Sequence, residues 1–291
     1  MKPAPFLYVV PGTVDEALGV LKEHGAEARV LAGGQSLVPM MNLRLARPAV
    51  LVDLNRIAGQ DGVRDGTFEV AIGFLTRQRA FETSPGLAER LPLLAEAISF
   101  VGHPAIRSRG TIAGSIAHAD PAAEIPAVVT VLDAAIVVRS EDTTRVIAAQ
   151  DFFLGPFTTL LGPTELVVEI RIPRREAQGT AFLEVARRHG DFALVGVATT
   201  LAVARDGTIE RAAIALSGVA GTPVRARDAE QMLVGAKAAS AIFSEAGRAA
   251  SAPLAPTSDI HATAAYRKRL AAVLTERALS LAARRAGLEV S

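Results

Sequence analysis

The sequence predicts an α+β fold made of two parts that differ in the order of their elements. In the first third of the chain, helical and strand patterns alternate. After Pro173, three strand-like stretches follow one another, and long helical patterns begin near Arg225. Strands grouped together and then helices grouped together are typical of an α+β domain. We therefore expect a domain boundary within residues 174–178, and 291 residues suffice for two ordinary domains.

The N-terminal third is predicted to contain a helix followed by two strands. The helix covers residues 13–24, because Thr13 can cap it, acidic side chains occupy its first turn and Gly25 ends it. Residues 28–32 and 49–54 are short and apolar, as buried strands are. The first of these strands runs directly into a glycine turn.

The middle of the chain contains further strands and two helical patterns. Alternating hydrophobicity predicts strands at residues 68–73, 135–139 and 164–173, the last of which ends at a proline. Helical patterns cover about residues 87–100 and residues 122–132.

The C-terminal part is predicted to form a three-stranded sheet covered by helices. Residues 179–188, 194–204 and 208–219 are typical of consecutive strands, and residues 262–286 of a long final helix.

Composition excludes several classes of protein. Half of the residues are hydrophobic and the net charge is +1, which argues against a disordered chain and against a basic nucleic-acid binder. Without cysteine, the chain has no disulfide, no thiolate nucleophile and no cysteine-ligated metal or iron–sulfur cluster. The N-terminus lacks an apolar stretch of signal-peptide length, and no transmembrane span is predicted. We expect a cytoplasmic protein.

Two segments combine glycine with hydroxyl side chains, and we name them the first glycine segment (residues 32–36) and the second glycine segment (residues 111–115). Glycine permits a positive φ and lets a ligand approach the main chain. Successive N–H groups in such turns bind anions, and Ser36, Thr111 and Ser115 add hydroxyl donors. A pyrophosphate, with its two anionic groups, is the ligand that this pair predicts.

Each segment alone also fits an ordinary tight turn. Neither fits the Rossmann pattern G-x-G-x-x-G or the Walker A pattern, which argues against a doubly wound NAD domain and against a P-loop NTPase.

Three stretches carry a family resemblance: LAGGQSLVPMMNLRLARPAVLVDLNRI, IRSRGTIAGSIAHADPAAEIPAVVTVLDA and RRHGDFALVGVA, in this order. Together they resemble the FAD-binding medium subunit of the molybdenum hydroxylases, of the aerobic carbon monoxide dehydrogenase type. Xanthine dehydrogenase carries a related FAD domain. The likeness covers nearly the whole chain.

The resemblance implies a fold with defined parts. A two-subdomain FAD-binding domain of the vanillyl-alcohol-oxidase-like (PCMH) type is expected at residues 1–176, with subdomains at about 1–57 and 58–176. A C-terminal α+β domain of the carbon monoxide dehydrogenase flavoprotein type is expected at residues 177–291.

The resemblance also implies which residues contact FAD. Both glycine segments are expected to wrap its pyrophosphate. The full expected set is Ala32, Gly33, Gly34, Gln35, Ser36, Leu37, Val101, Thr111, Ile112, Ala113, Gly114, Ser115, Glu124, Val167 and Phe192.

Several of these residues have a second interpretation. Ala113 replaces a glycine that is common in the family, and would cost about 1 kcal/mol if that position needs a positive φ. Glu124 either accepts hydrogen bonds from ribityl or ribose hydroxyls or is a solvent-facing glutamate. Val101 and Val167 also fit core packing. Phe192 is expected to shield one face of the isoalloxazine, with a core phenylalanine as the alternative.

Three polar residues near the expected site are given no role in cofactor binding. Glu184 occupies a position at which many relatives carry lysine, so no flavin contact is assigned to it. Asp120 is expected to be the N-cap of the helix that follows it. His118 is expected to be a structural histidine, because no other histidine stands at metal-ligand spacing from it. No catalytic residue and no metal ligand are predicted.

The resemblance implies a division of labour among subunits. A large subunit would hold a molybdenum–pterin cofactor and oxidise the substrate, and a small subunit would carry two 2Fe–2S clusters. This chain would pass electrons through FAD to an external acceptor, within a dimer of heterotrimers. The substrate and the acceptor stay open. So do two alternatives: a free-standing FAD-dependent oxidoreductase and a cofactor-free assembly subunit.

Overall fold

The computed structural model describes residues 2–175 and 179–289. The chain begins with a three-stranded parallel sheet, the N-terminal sheet, in the strand order β1-β3-β2. Its elements are β1 (Leu7–Val9), α1 (Val14–His24), β2 (Ala28–Leu31), α2 (Leu37–Asn42) and β3 (Val50–Asp53), with 3-10 turns at Gly25–Glu27 and Leu54–Arg56.

Helix α1 forms for the reasons that the sequence predicts. The Thr13 hydroxyl accepts a hydrogen bond from the Glu16 N–H at 3.1 Å, and Gly25 ends the helix with a positive φ of 49°. Leu18 and Leu21 are fully buried beside β3, so this helix covers the N-terminal sheet.

The middle of the chain forms a five-stranded antiparallel sheet, the middle sheet, with helices around it. Its strands and the adjoining hairpin are β4 (Val63–Asp65), β5 (Glu69–Gly73), β6 (Ala135–Arg139), β7 (Thr144–Ala148), β8 (Phe153–Gly155), β9 (Thr158–Thr159) and β10 (Leu166–Pro173). The order is β4-β5-β10-β6-β7, and β8 pairs with β9. The helices are α3 (Gln78–Thr83), α4 (Pro85–Arg90), α5 (Pro92–Ile98), α6 (Pro104–Arg107), α7 (Ile112–His118), α8 (Glu124–Val131) and α9 (Ala149–Phe152).

Two predictions for this region are wrong in detail. The single helix expected over residues 87–100 is two helices, because Pro92 lacks an N–H and the chain leaves helical geometry at Leu91. Asp120 is not a helix N-cap. Its carboxylate instead accepts the N–H of Ala122 at 2.9 Å, in a turn that precedes α8.

The C-terminal part groups its strands before its helices, as predicted. Its elements are β11 (Gly179–Ala186), β12 (Ala193–Val203), β13 (Ile209–Ser217), β14 (Val224–Arg225), α10 (Arg227–Leu233), α11 (Ser240–Ser251) and α12 (Ala264–Arg285). The antiparallel C-terminal sheet has the order β11-β12-β13-β14, so β14 adds a two-residue edge strand to the three strands expected.

The C-terminal sheet lies between two layers of helices, and every residue of β12 is buried. One face packs against α12 and α10. The other face, with Phe182, Ala198 and Ala215, joins the hydrophobic core of the N-terminal part and contacts α5 and α8. The expected boundary between residues 176 and 177 lies outside the described residues. Among the helices of the described ranges, none has the length and apolarity that crossing a membrane requires.

Candidate functional site

The first glycine segment follows β2 directly and turns the chain into α2. Gly34 has a φ of 73°, a conformation that glycine adopts without strain. The Gln35 side chain donates a hydrogen bond to the Gly33 carbonyl at 3.0 Å, and the Val38 N–H donates to the Gly34 carbonyl at 3.0 Å. The turn is thus held by local bonds. Ser36 flanks α2, and Leu37 is the first residue of that helix.

The turn that we expect at the second glycine segment is wrong. This segment is the start of α7. Thr111 caps this helix: its hydroxyl accepts the N–H of Gly114 at 3.0 Å. Ile112, Ala113 and Gly114 occupy the first turn and Ser115 follows. Small residues and glycine resembled a turn in sequence, but the cap and the burial of Ile112 favour a helix.

At Gly33 the first glycine segment packs against Arg109 and Gly110, which directly precede the second glycine segment. A Cβ atom on Gly33 would lie 2.4 Å from the Arg109 carbonyl oxygen and 2.7 Å from the Gly110 Cα, distances that no side chain tolerates. A Cβ on Gly114 would lie 4.0 Å from the Cβ of Ala32. Only glycine therefore fits at position 33. No local pattern in the sequence indicates that Arg109 and Gly110 are its neighbours.

Ala113 lies in helical backbone, and its side chain is buried. The position therefore does not require a positive φ, and the strain considered for a non-glycine residue does not arise.

The environment of the two segments is cationic. The half-buried Arg77 lies next to the second segment, with which it forms an isolated β-bridge at Thr111. Burial, together with the neighbouring charge of Arg109, lowers the pKa of Arg77. Two close glycine segments and two nearby guanidinium groups suit an anionic group, as the pyrophosphate of FAD requires.

Glu124, at the start of α8, is 7% exposed, so the solvent-facing alternative is wrong. Burial, reinforced by the charge of Asp120, raises its pKa to about 7, although the nearby Arg107 opposes this shift. The hydrogen bonds of Arg107 go to other groups than Glu124: it pairs with Glu82 at 2.7 Å and donates to the Val101 carbonyl at 2.8 Å.

Glu184, on β11, is a half-buried acid that is affected by the charge of Glu124. Burial, followed by the charge of Glu124, raises the pKa of Glu184 to about 9. One of its carboxyl oxygens, Oε2, is buried without a hydrogen-bond partner among the described residues. The sequence drew attention to Glu184 as a replaced lysine but gave no sign of this interaction, which joins two distant parts of the chain.

Phe192 lies just before β12 and is 73% exposed, so the alternative of a core phenylalanine is wrong. The glycine two residues earlier, Gly190, packs against Gly102 and His103: its missing Cβ would lie 2.6 Å from the His103 ring. The structure thus brings the segment that carries Phe192 next to Val101 and its neighbours. An exposed aromatic ring at this place is available for stacking.

Val167 is buried in β10 at a register shift and belongs to the core, so its packing explains it without a ligand. His118 is half-buried, its ring centroid lies 5.1 Å from that of Phe157, and burial lowers its pKa. Within residues 2–175 and 179–289, no group of three or more metal-ligating side chains comes together.

Comparison with known families accounts for both parts of the chain. Residues 4–175 match the family described as the FAD binding domain in molybdopterin dehydrogenase, and residues 180–282 match the carbon monoxide dehydrogenase flavoprotein C-terminal domain.

Individual relatives agree with these matches over full length. The chain is 40% identical to the 6-hydroxypseudooxynicotine dehydrogenase complex subunit alpha of Paenarthrobacter nicotinovorans, over 98% of this chain and 97% of the relative. It is 38% identical to the carbon monoxide dehydrogenase medium chain of Hydrogenophaga pseudoflava, over 97% and 98%.

A solved structure of that Hydrogenophaga pseudoflava enzyme, lacking the Mo-pyranopterin moiety of the molybdenum cofactor, superimposes with a TM-score of 0.94. The sequence identity is 40%, over 98% of this chain and 99% of the other. These matches confirm the resemblance drawn from the three motifs: the chain belongs to the family of FAD-binding medium subunits of molybdenum-containing dehydrogenases.

Proposed function

We propose that this chain is the FAD-carrying electron-transfer subunit of a molybdenum hydroxylase. The observation that carries the proposal is the contact of Gly33 with Arg109 and Gly110, which directly precede the second glycine segment; this contact supports a site in which the two segments lie close together beside cationic side chains. When bound, FAD would supply the redox chemistry, and this chain would supply binding and orientation.

We propose specific roles for the residues of the site. The first glycine segment with Leu37, and the second glycine segment, hold the pyrophosphate. Glu124 hydrogen-bonds to the ribityl or ribose hydroxyls, and Phe192 covers one face of the isoalloxazine. Val101, next to the Phe192 segment, is supported by that proximity, whereas the buried position of Val167 favours a supporting role in packing.

The chain would work with two partners. Electrons would come from the 2Fe–2S clusters of a small subunit after substrate oxidation at the molybdenum cofactor of a large subunit. Exposed large apolar side chains on this chain, such as Leu45, Leu154 and Phe157, support an assembly in which more surface is buried. The dimer of heterotrimers, the external acceptor and the cytoplasmic location stay predictions.

We further propose that the chain is divided into residues 1–176, with subdomains at about 1–57 and 58–176, and residues 177–291. The separate N-terminal, middle and C-terminal sheets support this division. The relatives named above are subunits of a 6-hydroxypseudooxynicotine dehydrogenase and of a carbon monoxide dehydrogenase, so subunits of this type serve unlike substrates. The substrate would be selected by the large subunit.

The test is a visible absorption spectrum of the native complex, with the co-purifying chains identified by mass. We expect a flavin spectrum overlaid with iron–sulfur bands, together with one large and one small partner. A flavin spectrum and turnover from this chain alone would instead establish a free-standing oxidoreductase. Absence of flavin, even with partners and added FAD, would establish a cofactor-free assembly subunit.

A further inference from the structure

The two glycine segments belong to different sheets and helices, and a chain of side-chain hydrogen bonds connects them. The first segment follows β2 of the N-terminal sheet, and the second begins α7 beside the middle sheet. Between them lie Asn55, in the 3-10 turn after β3, and Arg77, just before α3. We name these two side chains the Asn55–Arg77 bridge.

Asn55 holds the first segment. Its Nδ2 donates to the Ala32 carbonyl at 2.9 Å, and its Oδ1 accepts from the Arg77 guanidinium. The orientation of the amide is fixed by its partners, because a carbonyl can only accept and a guanidinium can only donate. Asn55 therefore uses both ends of its amide, one toward each segment.

Arg77 holds the second segment. Its backbone neighbours pair with that segment and with the residue before it: the Ile112 N–H donates to the Thr76 carbonyl at 3.1 Å, and the Gln78 N–H donates to the Gly110 carbonyl at 2.9 Å. Its guanidinium donates one N–H to the Arg109 carbonyl and another to Asn55. The Arg109 carbonyl is the same atom against which Gly33 packs.

Asp53 fixes the Asn55 end of the bridge. Its carboxylate accepts the Asn55 N–H at 2.9 Å and also the Asn55 side-chain amide. The Tyr8 hydroxyl donates to the other oxygen of the same carboxylate. By accepting these hydrogen bonds, the Asp53 carboxylate restricts the rotamers of Asn55. Asn55 therefore loses less conformational entropy when it bonds to Ala32 and Arg77.

We propose that Asn55 and Arg77 are positioning residues that hold the two glycine segments together in the arrangement that binds the pyrophosphate of FAD. This inference rests on the proposed function. Both side chains act through main-chain carbonyls, those of Ala32 and Arg109, rather than through the ligand. The fork of Arg77 is essential to the role, because one group must donate to two acceptors in fixed directions.

The test compares FAD dissociation constants of the full-length chain and its variants, by titration of flavin-free protein with FAD and flavin fluorescence. We expect Arg77→Met and Asn55→Ala each to weaken FAD binding about 10- to 100-fold, the effect of losing a hydrogen bond that involves a charged group. Arg77→Lys should weaken binding nearly as much as Arg77→Met, because lysine keeps the charge but not the fork.

The double variant Asn55→Ala/Arg77→Met should bind FAD no more than about threefold more weakly than the weaker single variant, because both substitutions break the same bridge. Arg79→Met is the matched control. Arg79 stands two residues from Arg77, but it is exposed and pairs with Glu82 at 3.0 Å on the surface. The FAD affinity of Arg79→Met should stay within about twofold of that of the parent chain.

A second readout does not depend on FAD. Amide hydrogen exchange of the flavin-free chain should become faster in both glycine segments of Arg77→Met and Arg77→Lys, while the amides of α12 keep their protection. Faster exchange over the whole chain of Arg77→Met would mean that this substitution unfolds the chain generally. Exchange in Arg77→Lys then decides whether the bridge holds the two glycine segments.

The inference is overturned if Arg77→Lys binds FAD like the parent, since charge alone would then suffice, or if exchange in the segments is unchanged. Failure of the parent chain to bind FAD under any condition would overturn the proposed function instead. The exchange measurement would still decide whether the bridge holds the two segments.

Discussion

Glu184 lies on β11, in the sheet that joins the core of the N-terminal part, and burial, followed by the charge of Glu124 at the start of α8, favours its protonated form. A half-buried acid near another carboxylate ionises only at a cost in free energy. Arg107, the cation that acts on Glu124, already pairs with Glu82. This part of the fold is therefore most stable when these carboxyl groups carry protons.

The stability of the flavin-free chain should fall as the pH rises through neutrality. The folded chain holds these protons more tightly than the unfolded chain does, since burial raises the pKa of Glu124 to about 7 and that of Glu184 to about 9 from an ordinary 4.5. The free energy of unfolding should decrease from about pH 4.5, where the unfolded chain loses these protons, up to about 7 for Glu124 and about 9 for Glu184, and then level off. Between about pH 7 and 9, where Glu184 alone still holds its proton in the folded chain, the slope should be about 1.4 kcal/mol per pH unit.

Urea unfolding at a series of pH values measures this dependence. Glu184→Gln should match the parent at low pH and exceed its stability increasingly from about pH 4.5 to about 9, because the glutamine never carries the charge. Glu210→Gln, at an exposed position on β13, should leave the dependence unchanged. Stability that stays level or rises with pH would contradict the assignment.

Gly33→Ala should separate the two glycine segments and abolish FAD retention. The added Cβ would meet main-chain atoms of Arg109 and Gly110, which have no flexible end to move aside. FAD content of the purified complex should fall at least about tenfold, and reoxidation by the acceptor should stop, while substrate still reduces the molybdenum centre. Gly19→Ala in α1 meets no atom within 4 Å and should stabilise the chain by about 0.5–1 kcal/mol. Normal FAD content in Gly33→Ala would exclude the first segment from the cofactor site.

Ala113→Gly, which restores the residue common in the family, should destabilise the chain rather than improve it. Ala113 lies in helical backbone, where glycine costs about 1 kcal/mol of helix stability. Thermal unfolding should show a lower Tm, and FAD affinity should not increase. Tighter FAD binding by this variant would mean that the position adopts a non-helical backbone when the cofactor is present.

Phe192→Ala should affect the flavin without affecting the fold. Because the ring is 73% exposed, its loss should change the free energy of unfolding by less than about 0.5 kcal/mol. FAD binding should weaken about 3- to 10-fold, the worth of an aromatic stacking contact, and the flavin fluorescence of the bound state should rise. Phe68→Ala is the control, since that ring is 84% exposed on another hairpin. Equal effects of both substitutions on FAD binding would argue against stacking at Phe192.

Sequence patterns predicted the long elements and missed several short ones. Helix α1 and strands β6, β10 and β12 have periodic apolar residues and clear ends, so local rules suffice for them. Helix α7 was missed because glycine and alanine have no apolar period, and its stability comes from the Thr111 cap and the burial of Ile112 and Ile116. Strand β1 is too short for any pattern and depends on pairing with β3.

Local patterns identified the two glycine segments but not their arrangement. The contact of Gly33 with Gly110, the bridge from Asn55 to Arg77 and the interaction of Glu124 with Glu184 each join residues that are far apart in the chain. Such contacts depend on the tertiary fold, so they leave no local signal.

One face of the C-terminal sheet belongs to the hydrophobic core of the N-terminal part, and this limits where the chain can be divided. The two family matches meet between residues 175 and 180, as though two modules had been joined there. Yet Phe182 and Ala215 lie in the core of the N-terminal part, so a cut at that junction would open a core rather than separate two domains. The C-terminal part could be exchanged between relatives only together with the surfaces of α5 and α8. A hybrid subunit that exchanges the C-terminal part without those surfaces should aggregate.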